Sequence, residues 1–511
     1  MQLQPTLSSS DRSLRWAIVV GLGVMLFAFV NLAWLARQPI TPAAYGFASE
    51  HGNIAGALAT RGEFSDSFGI QSGPTAWEPP LYPAYLALVF LASGTKTAAS
   101  LWVLVLMDGA WAGLTAAALA FALHRQGLVR AAAWLPFVLA LQFLLLQRFV
   151  LFGDSPTWLI AALGAAFLVC WSEVRRPGAA RGWWWALLVP SALLPILHLG
   201  CGLAALVLLL GLIWRARRTA LPLSAHRRWL AGAILALLLP AGLWTLRNRA
   251  VLGTFFPVKS NGWFELWLSQ EHTRTGILSA AAVESHHPCL NSEARARYAR
   301  LGEARFVAAC RREVAASLRQ DPARYLRFLG HRLINATVFT QDSGDCAVCR
   351  AAVPPDDLRR LQAAGLGVRP GPAVPWLWTS LDLSPVAMPA RLVAAGVQER
   401  RALYADWLGA HECYVTGRAT FLHLLASFSL SGIPVACALI YLALKRRRTE
   451  TVVLAMVVYY FVALAPNILV THDETHQLLH LGLLASFMAL PAAELPGLFR
   501  RRCSPIAART P

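Results

Sequence analysis

Two acids stand where proton chemistry could be done. Glu50 opens a short segment with helical periodicity, and Asp154 lies in LFGDSPTW, a turn between two apolar runs. A carboxylate within hydrogen-bond reach of a substrate hydroxyl can act as a general base. Each acid also has a structural reading. Glu50 suits the first turn of a helix, where its charge meets the positive end of the macrodipole. Asp154, in Asp-Ser-Pro, is a good N-cap for the run that follows. An acid in a turn flush with a membrane is nevertheless costly and tends to have a task. Arg247 and Arg249 end an apolar run, and Lys259 follows shortly after. They could hold an anion such as a lipid phosphate, arginine doing so bidentately, or they could simply snorkel. Tyr45, His51, Trp77, Glu78, Tyr82 and His198 flank these groups and are candidate pocket residues.

A second polar group is His472, Asp473, Glu474, His476 and His480. The histidines recur every fourth residue and would share one helix face; two of them with a carboxylate could ligate a divalent metal. The order HDETH is not the HExxH of zinc peptidases, and a polar helix start is the alternative. No cofactor is required by any motif: phosphate-cradling glycine loops, nucleophile elbows and Walker patterns are absent. Of nine cysteines, Cys170, Cys201, Cys437 and Cys503 fall in or beside apolar runs as small fillers. Cys289, Cys310, Cys346, Cys349 and Cys413 fall in a long polar region. There Cys346-x-x-Cys349 reads as a local disulfide, since zinc would need two further ligands.

These residues must be positioned by membrane helices. The chain has 511 residues, 56% of them hydrophobic and 14% charged, with a mean hydropathy of +0.49; soluble domains carry about a quarter charged residues. Apolar runs of about 18 residues or more recur, each able to cross a core of about 30 Å as a helix. Ten spans are expected, near 14–36, 98–123, 131–151, 156–173, 183–198, 200–214, 229–247, 417–444, 451–470 and 477–495. The net charge of +19 does not indicate nucleic acid, because the basic clusters sit beside apolar runs. Arg175 and Arg176, Arg215 to Arg218, Arg227 and Arg228, Lys445 to Arg448 and Arg500 to Arg502 mark cytoplasmic ends, where they also meet anionic lipid. Alternation from these markers puts both termini in the cytoplasm. It leaves two regions outside, 38–94 and 248–415.

The chain thus reads as all-α and polytopic. An N-terminal membrane module, 1–247, carries the first outer loop; the extracytoplasmic region 248–415 is mostly helical; C-terminal spans and a basic tail occupy 416–511. Glu50 to Thr60 forms an amphipathic helix stopped by Gly62. Pro79-Pro80 blocks helix until Leu81, and the apolar run Leu81 to Ala92 is too short to cross, so it lies at the interface or re-enters. In the second region a helix runs from Ser292 to Arg319, Asp321-Pro322 ends it, and the next reaches about Thr337.

The loop carrying Glu50, with IAGALATRGEFSDSFG and GPTAWEPPLYP, resembles the first outer loop of the GT-C class of membrane glycosyltransferases. It looks most similar to family-39-like bacterial enzymes, relatives of protein mannosyltransferases and of the aminoarabinose transferase acting on lipid A. RNRAVLGTFFPVKSNGWFELWL resembles that group's "RN" stretch after its seventh span. The resemblance implies a polyprenyl-phosphate-linked sugar as donor, a glycan, lipid or protein as acceptor, and inverting transfer at the periplasmic face of a bacterial inner membrane. It also implies Glu50 as base, Asp154 as the second acid and Arg247 as a phosphate contact. The sequence departs from the class in having Glu50 where aspartate is commoner, and THDETHQ where relatives carry an arginine-tyrosine pair. Two other readings remain: a lipid transporter or flippase, which would show charges inside spans and an inverted repeat, and a non-catalytic scaffold.

Overall fold

The structure, a computed structural model, describes residues 9–36, 50–69, 72–145, 156–176, 178–218, 223–273, 276–278, 280–289, 291–337, 432–444, 452–471, 480 and 482–491. Every regular element among them is a helix; extended pairing is confined to one bridge between Ser65 and Pro74. In chain order, α1 is Ser9–Ala36, α2 Glu50–Arg61, α3 Leu81–Ser93, α4 Ala98–Arg125, α5 Val129–Leu145 and α6 Thr157–Val174. There follow α7 Arg181–Leu197, α8 Leu199–Arg218, α9 Leu223–Leu252, α10 Gly262–Glu271, α11 Ala280–His286, α12 Ser292–Leu301, α13 Glu303–Gln320 and α14 Pro322–Thr337. After the undescribed stretch come α15 Ile433–Leu444, α16 Val452–Val470 and α17 Gly482–Pro491.

Among the described residues, five helices are long and apolar enough to cross a membrane: Asp11–Val30 within α1, α4, α6, Arg227–Leu252 within α9, and α16. Their lipid-length apolar composition selects helix, which satisfies the backbone internally. Leucines such as Leu26, Leu106, Leu235 and Leu246 stand exposed on them, as helices facing lipid require. The described residues thus show five of the expected spans at full crossing length. Within the runs near 131–151, 200–214, 417–444 and 477–495, the described residues include the apolar helices Val129–Ala140, Leu199–Arg215, Ile433–Leu444 and Gly482–Pro491. The run near 183–198 yields the 17-residue α7, which contains Pro190 and Pro195; proline removes a helix donor and crowds the preceding turn.

Small residues let the bundle close. A Cβ on Gly113 would lie 2.7 Å from Gly21 O, so the α1 and α4 backbones touch there, the packing that membrane helices favour. At one end of that pair Ser13 Oγ and His124 Nδ1 are 2.7 Å apart, which fixes the helices antiparallel. At the same end Glu173 of α6 receives Arg125 at 3.0 Å and Arg176 at 2.9 Å. The candidate residues collect at the opposite end, where α1 stops and α4 starts.

There a second apolar core forms beside the bundle. Phe68, Ala76 and Trp77 pack with Phe256, Phe264, Trp267, Tyr298, Phe306 and Val314. The segment after α2 and the region after α9 are therefore one packed body. α2 and α3 have the expected bounds, with Gly62 at φ +70° and Gly94 at φ +91° following them. The helix expected over 292–319 is instead two, broken at Gly302, whose φ of +71° no helix accommodates. The break places Glu303 in the second core, where Ala76 N donates to Oε1 at 2.8 Å and Thr75 Oγ1 and Tyr298 OH donate to Oε2 at 2.5 and 2.7 Å.

Candidate functional site

Glu50 is the first residue of α2, and the structure brings to it a partner from far along the chain. His287 Nε2 lies 3.1 Å from Glu50 Oε1, both side chains largely but not wholly buried. The N–H of Cys289 points at His287 Nδ1 at 3.2 Å, so the ring is oriented with Nε2 toward Glu50. Burial by itself raises the Glu50 carboxyl, but the charge and hydrogen bond of His287 outweigh it and hold the acid at about 2. Glu50 is thus an oriented carboxylate throughout the physiological range.

A second acid behaves oppositely. Burial pushes the Glu78 carboxyl up to about 8; Lys259 opposes that, while Glu50, Glu265 and Glu303 add to it. At neutral pH Glu78 is a proton-bearing donor. His51 Nε2 lies 3.8 Å from Glu78 Oε2. Burial lowers His51 to about 4, with Glu50 opposing and Lys259 adding, so this ring is neutral. Its Nδ1 is buried with no hydrogen-bond partner among the described residues, and buried polar atoms normally have one.

Lys259 supplies the positive charge. Its Nζ is 3.3 Å from Glu265 Oε1. Burial works against the ammonium, but Glu265, Glu78 and Glu50 outweigh it and raise its pKa above the ordinary lysine value. The "RN" pair explains how Lys259 is held. Asn248, wholly buried, donates from Nδ2 to Phe256 O at 3.2 Å and Val258 O at 3.1 Å. Val258, at φ +65°, is a β-branched residue in left-handed space, a conformation that costs about 1–3 kcal/mol and clusters at functional sites.

Arg247 works on the other wall. Its Nη1 donates to Thr75 O at 2.6 Å and its Nη2 to Phe64 O at 3.1 Å. The guanidinium carbon sits 4.9 Å from the Trp244 ring centroid and 5.3 Å from that of Phe64. These two bonds to backbone carbonyls fix the 64–75 segment onto α9. Arg249 is exposed. Trp77 is 1% exposed, packed against Phe68, Phe264 and Tyr298; it and Phe264 wall the His287 ring at 6.3 and 5.2 Å. It supports the site from behind instead of lining a pocket. Tyr82, also buried, meets His51 edge-on at 5.1 Å and stacks on Tyr85.

His198 forms the single-residue joint between α7 and α8, its Nδ1 accepting from Cys201 N at 3.3 Å. Tyr45, Asp154, His472 and His476 lie outside the described residues, as do Cys346, Cys349 and Cys413. Cys310 is, among the described residues, a free thiol buried in the second core, and burial pushes it up to about 12. Sequence reading passed over Glu265 and His287, and noted Cys289 only as one of the cysteines of the polar region. Their signal was compositional: NGWFEL directly after the RN stretch, and HHPC within a charge-poor stretch. Glu50, His287 and Cys289 each offer one ligand atom, all within 4.8 Å of one another. An oxygen, a nitrogen and a sulfur in that spacing suit a zinc-like cation.

Family models, curated proteins and solved structures were all compared with this chain, and none matches it.

Proposed function

We propose that this chain is a GT-C-like membrane glycosyltransferase that moves a sugar from a polyprenyl-phosphate donor to an acceptor hydroxyl. In this reading the ten-span topology holds, both termini are cytoplasmic, and the site faces the periplasm of a bacterial inner membrane. The observation that carries it is the pairing of an oriented, ionised Glu50 with a neighbouring buried cation, Lys259, across a cluster whose other acid, Glu78, holds a proton. Glu50 accepts the proton of the acceptor hydroxyl. The acceptor oxygen then forms a bond to the anomeric carbon as the bond from that carbon to the phosphate oxygen breaks, on the opposite face, giving inversion. The polyprenyl phosphate leaves as an anion. Lys259 offsets the charge that develops on it, and Glu78 donates a hydrogen bond to it. The unpartnered His51 Nδ1 is available to a sugar hydroxyl. Asp154 is the proposed second acid and Arg249 an auxiliary cation at the rim.

The test is Glu50→Gln in the full-length protein. Transfer is expected to fall by about 10²–10⁴-fold, with the folded yield unchanged, and glycolipids or glycoproteins from the cells lose one sugar mass. Unchanged glycan masses would sink the assignment. A second reading rests on the Glu50, His287 and Cys289 spacing: a cation held there would take Glu50 as a ligand, not a base. Chelation separates the two, since the base reading expects transfer to survive dialysis against a strong chelator and the metal reading expects its loss.

A further inference from the structure

α14 has three faces. One docks on the protein. Arg332, fully buried, donates from Nε to Gly276 O at 2.7 Å, from Nη2 to Ser269 Oγ at 3.0 Å and from Nη1 to Leu469 O at 3.3 Å. Tyr325 OH donates to Leu469 O at 2.9 Å, and Tyr460 OH to Ala336 O at 3.1 Å. The helix is therefore fastened along the last turns of α16, one of the five helices able to cross a membrane. The second face is apolar and open: Leu326, Leu333 and Ile334 are 64%, 48% and 50% exposed. At about 100° per residue they lie in one stripe about 100° wide, the width of an apolar helix face. The third face, between the other two, carries Arg324, Arg327 and His331. Residues 322–337 contain no acid.

The open stripe does not stand alone. Leu469, whose carbonyl α14 grips, is itself 51% exposed, so the apolar surface of α16 runs on into that of α14 at the end of the span. Arg324 on the third face is engaged by Glu271 and the Gln270 carbonyl, which leaves the exposed Arg327 beside the stripe to complement anionic headgroups. We propose that α14 extends the lipid-facing surface along the last turns of α16: Leu326, Leu333 and Ile334 face acyl chains, and Arg327, near the end of α14 that meets Leu469, reaches headgroup phosphates. The arrangement reaches the candidate site. Gly276 is held by Arg332 and covered by Phe328, whose Cβ would stand 2.4 Å from a Cβ added at the glycine. Gly276 begins the segment that leads through α11 to His287, so the bilayer braces that segment through α14. The proposal stands whether or not the transferase reading does.

Photocrosslinking in the full-length chain tests it. Benzoyl-phenylalanine replaces Leu326, Leu333 or, as a control on exposed α13, Arg312, one at a time, in nanodiscs of phosphatidylethanolamine and phosphatidylglycerol. After irradiation, intact mass should show phospholipid adducts at positions 326 and 333, at least fivefold above position 312. Absence of lipid adducts at both positions, or crosslinks to a second copy of the chain in their place, would overturn the proposal. Arg327→Glu should lower the share of phosphatidylglycerol among the adducts at 333 by at least twofold; an unchanged share would overturn the headgroup contact.

Discussion

Glu50 and Glu78 are both buried carboxyls near Lys259, yet their proton affinities diverge because their closest partners differ. Glu50 has His287 at 3.1 Å, donating to it; Glu78 has a neutral His51 at 3.8 Å and three other acids in its field. Acids pushed apart in this way are the usual mark of divided acid and base roles. A pH dependence follows. Above about 8 Glu78 ionises and repels an anionic donor, so donor KM should rise as pH passes 8, while Glu78→Gln keeps a flat KM through that range. Stability has the same sign. The folded pKa lies above the unfolded one, so the stabilisation Glu78 gives is complete below about 4.5 and is lost as pH rises to about 8. The melting temperature of the wild type should therefore fall between pH 5 and 8 relative to that of Glu78→Gln. Parallel melting curves for the two proteins would show that Glu78 is already ionised at neutral pH.

At the scale of elements, two adjacent residues at the end of α9 do most of the positioning. Arg247 fastens the 64–75 segment and Asn248 fastens the 256–258 turn, so one helix turn sets both walls of the cluster. Asn248→Ala leaves two buried carbonyls without their donor, a loss of about 1–3 kcal/mol. It should lower the melting temperature in detergent without any substrate present. Arg247→Lys keeps the charge but not the two-pronged geometry. It should expose residues 64–75 to limited proteolysis, whereas an arginine used only for donor phosphate would leave the substrate-free digest unchanged. Sequence marked Arg247 as unusual, because it and Arg249 end an apolar run, but showed only its charge. Which carbonyls take the guanidinium depends on contacts 172 and 183 residues away. The local punctuation was readable: Gly62 ends α2 and Pro79-Pro80 delays α3, because glycine and proline act through their own backbone. Gly302 was not readable in the same way. A lone glycine costs a helix only about 1 kcal/mol, and the three donors that draw Glu303 into the second core decide for the break.

For the whole molecule, the two ends of the bundle are chemically distinct, and that distinction sets the orientation proposed. One end gathers Arg125 and Arg176 about Glu173, with Arg175 over the Trp171 ring and Arg215 and Arg228 on the helices that return there. The other holds Glu50, Glu78, Glu265 and Lys259 in a nearly balanced cluster. Length and hydropathy made the membrane helices legible, since crossing a bilayer leaves a mark in composition; the histidine partner of Glu50 left none, because 237 positions separate residues 50 and 287 and only the shared core joins them. Basic ends stay in the cytoplasm, so the cluster should face outward. The 30-residue α9 links the two ends and offers the direct measurement. A reporter active only in the cytoplasm should work when joined after Arg218, just before α9, and fail when joined after Gly253, just beyond it. A reporter active only outside should show the reverse. Both reporters on one side would mean that α9 does not cross, and the Lys259 turn would then share a compartment with the basic end. Reversed activities would place Glu50 in the cytoplasm, where a periplasmic transfer is impossible, and would leave the fold intact while removing the proposed reaction.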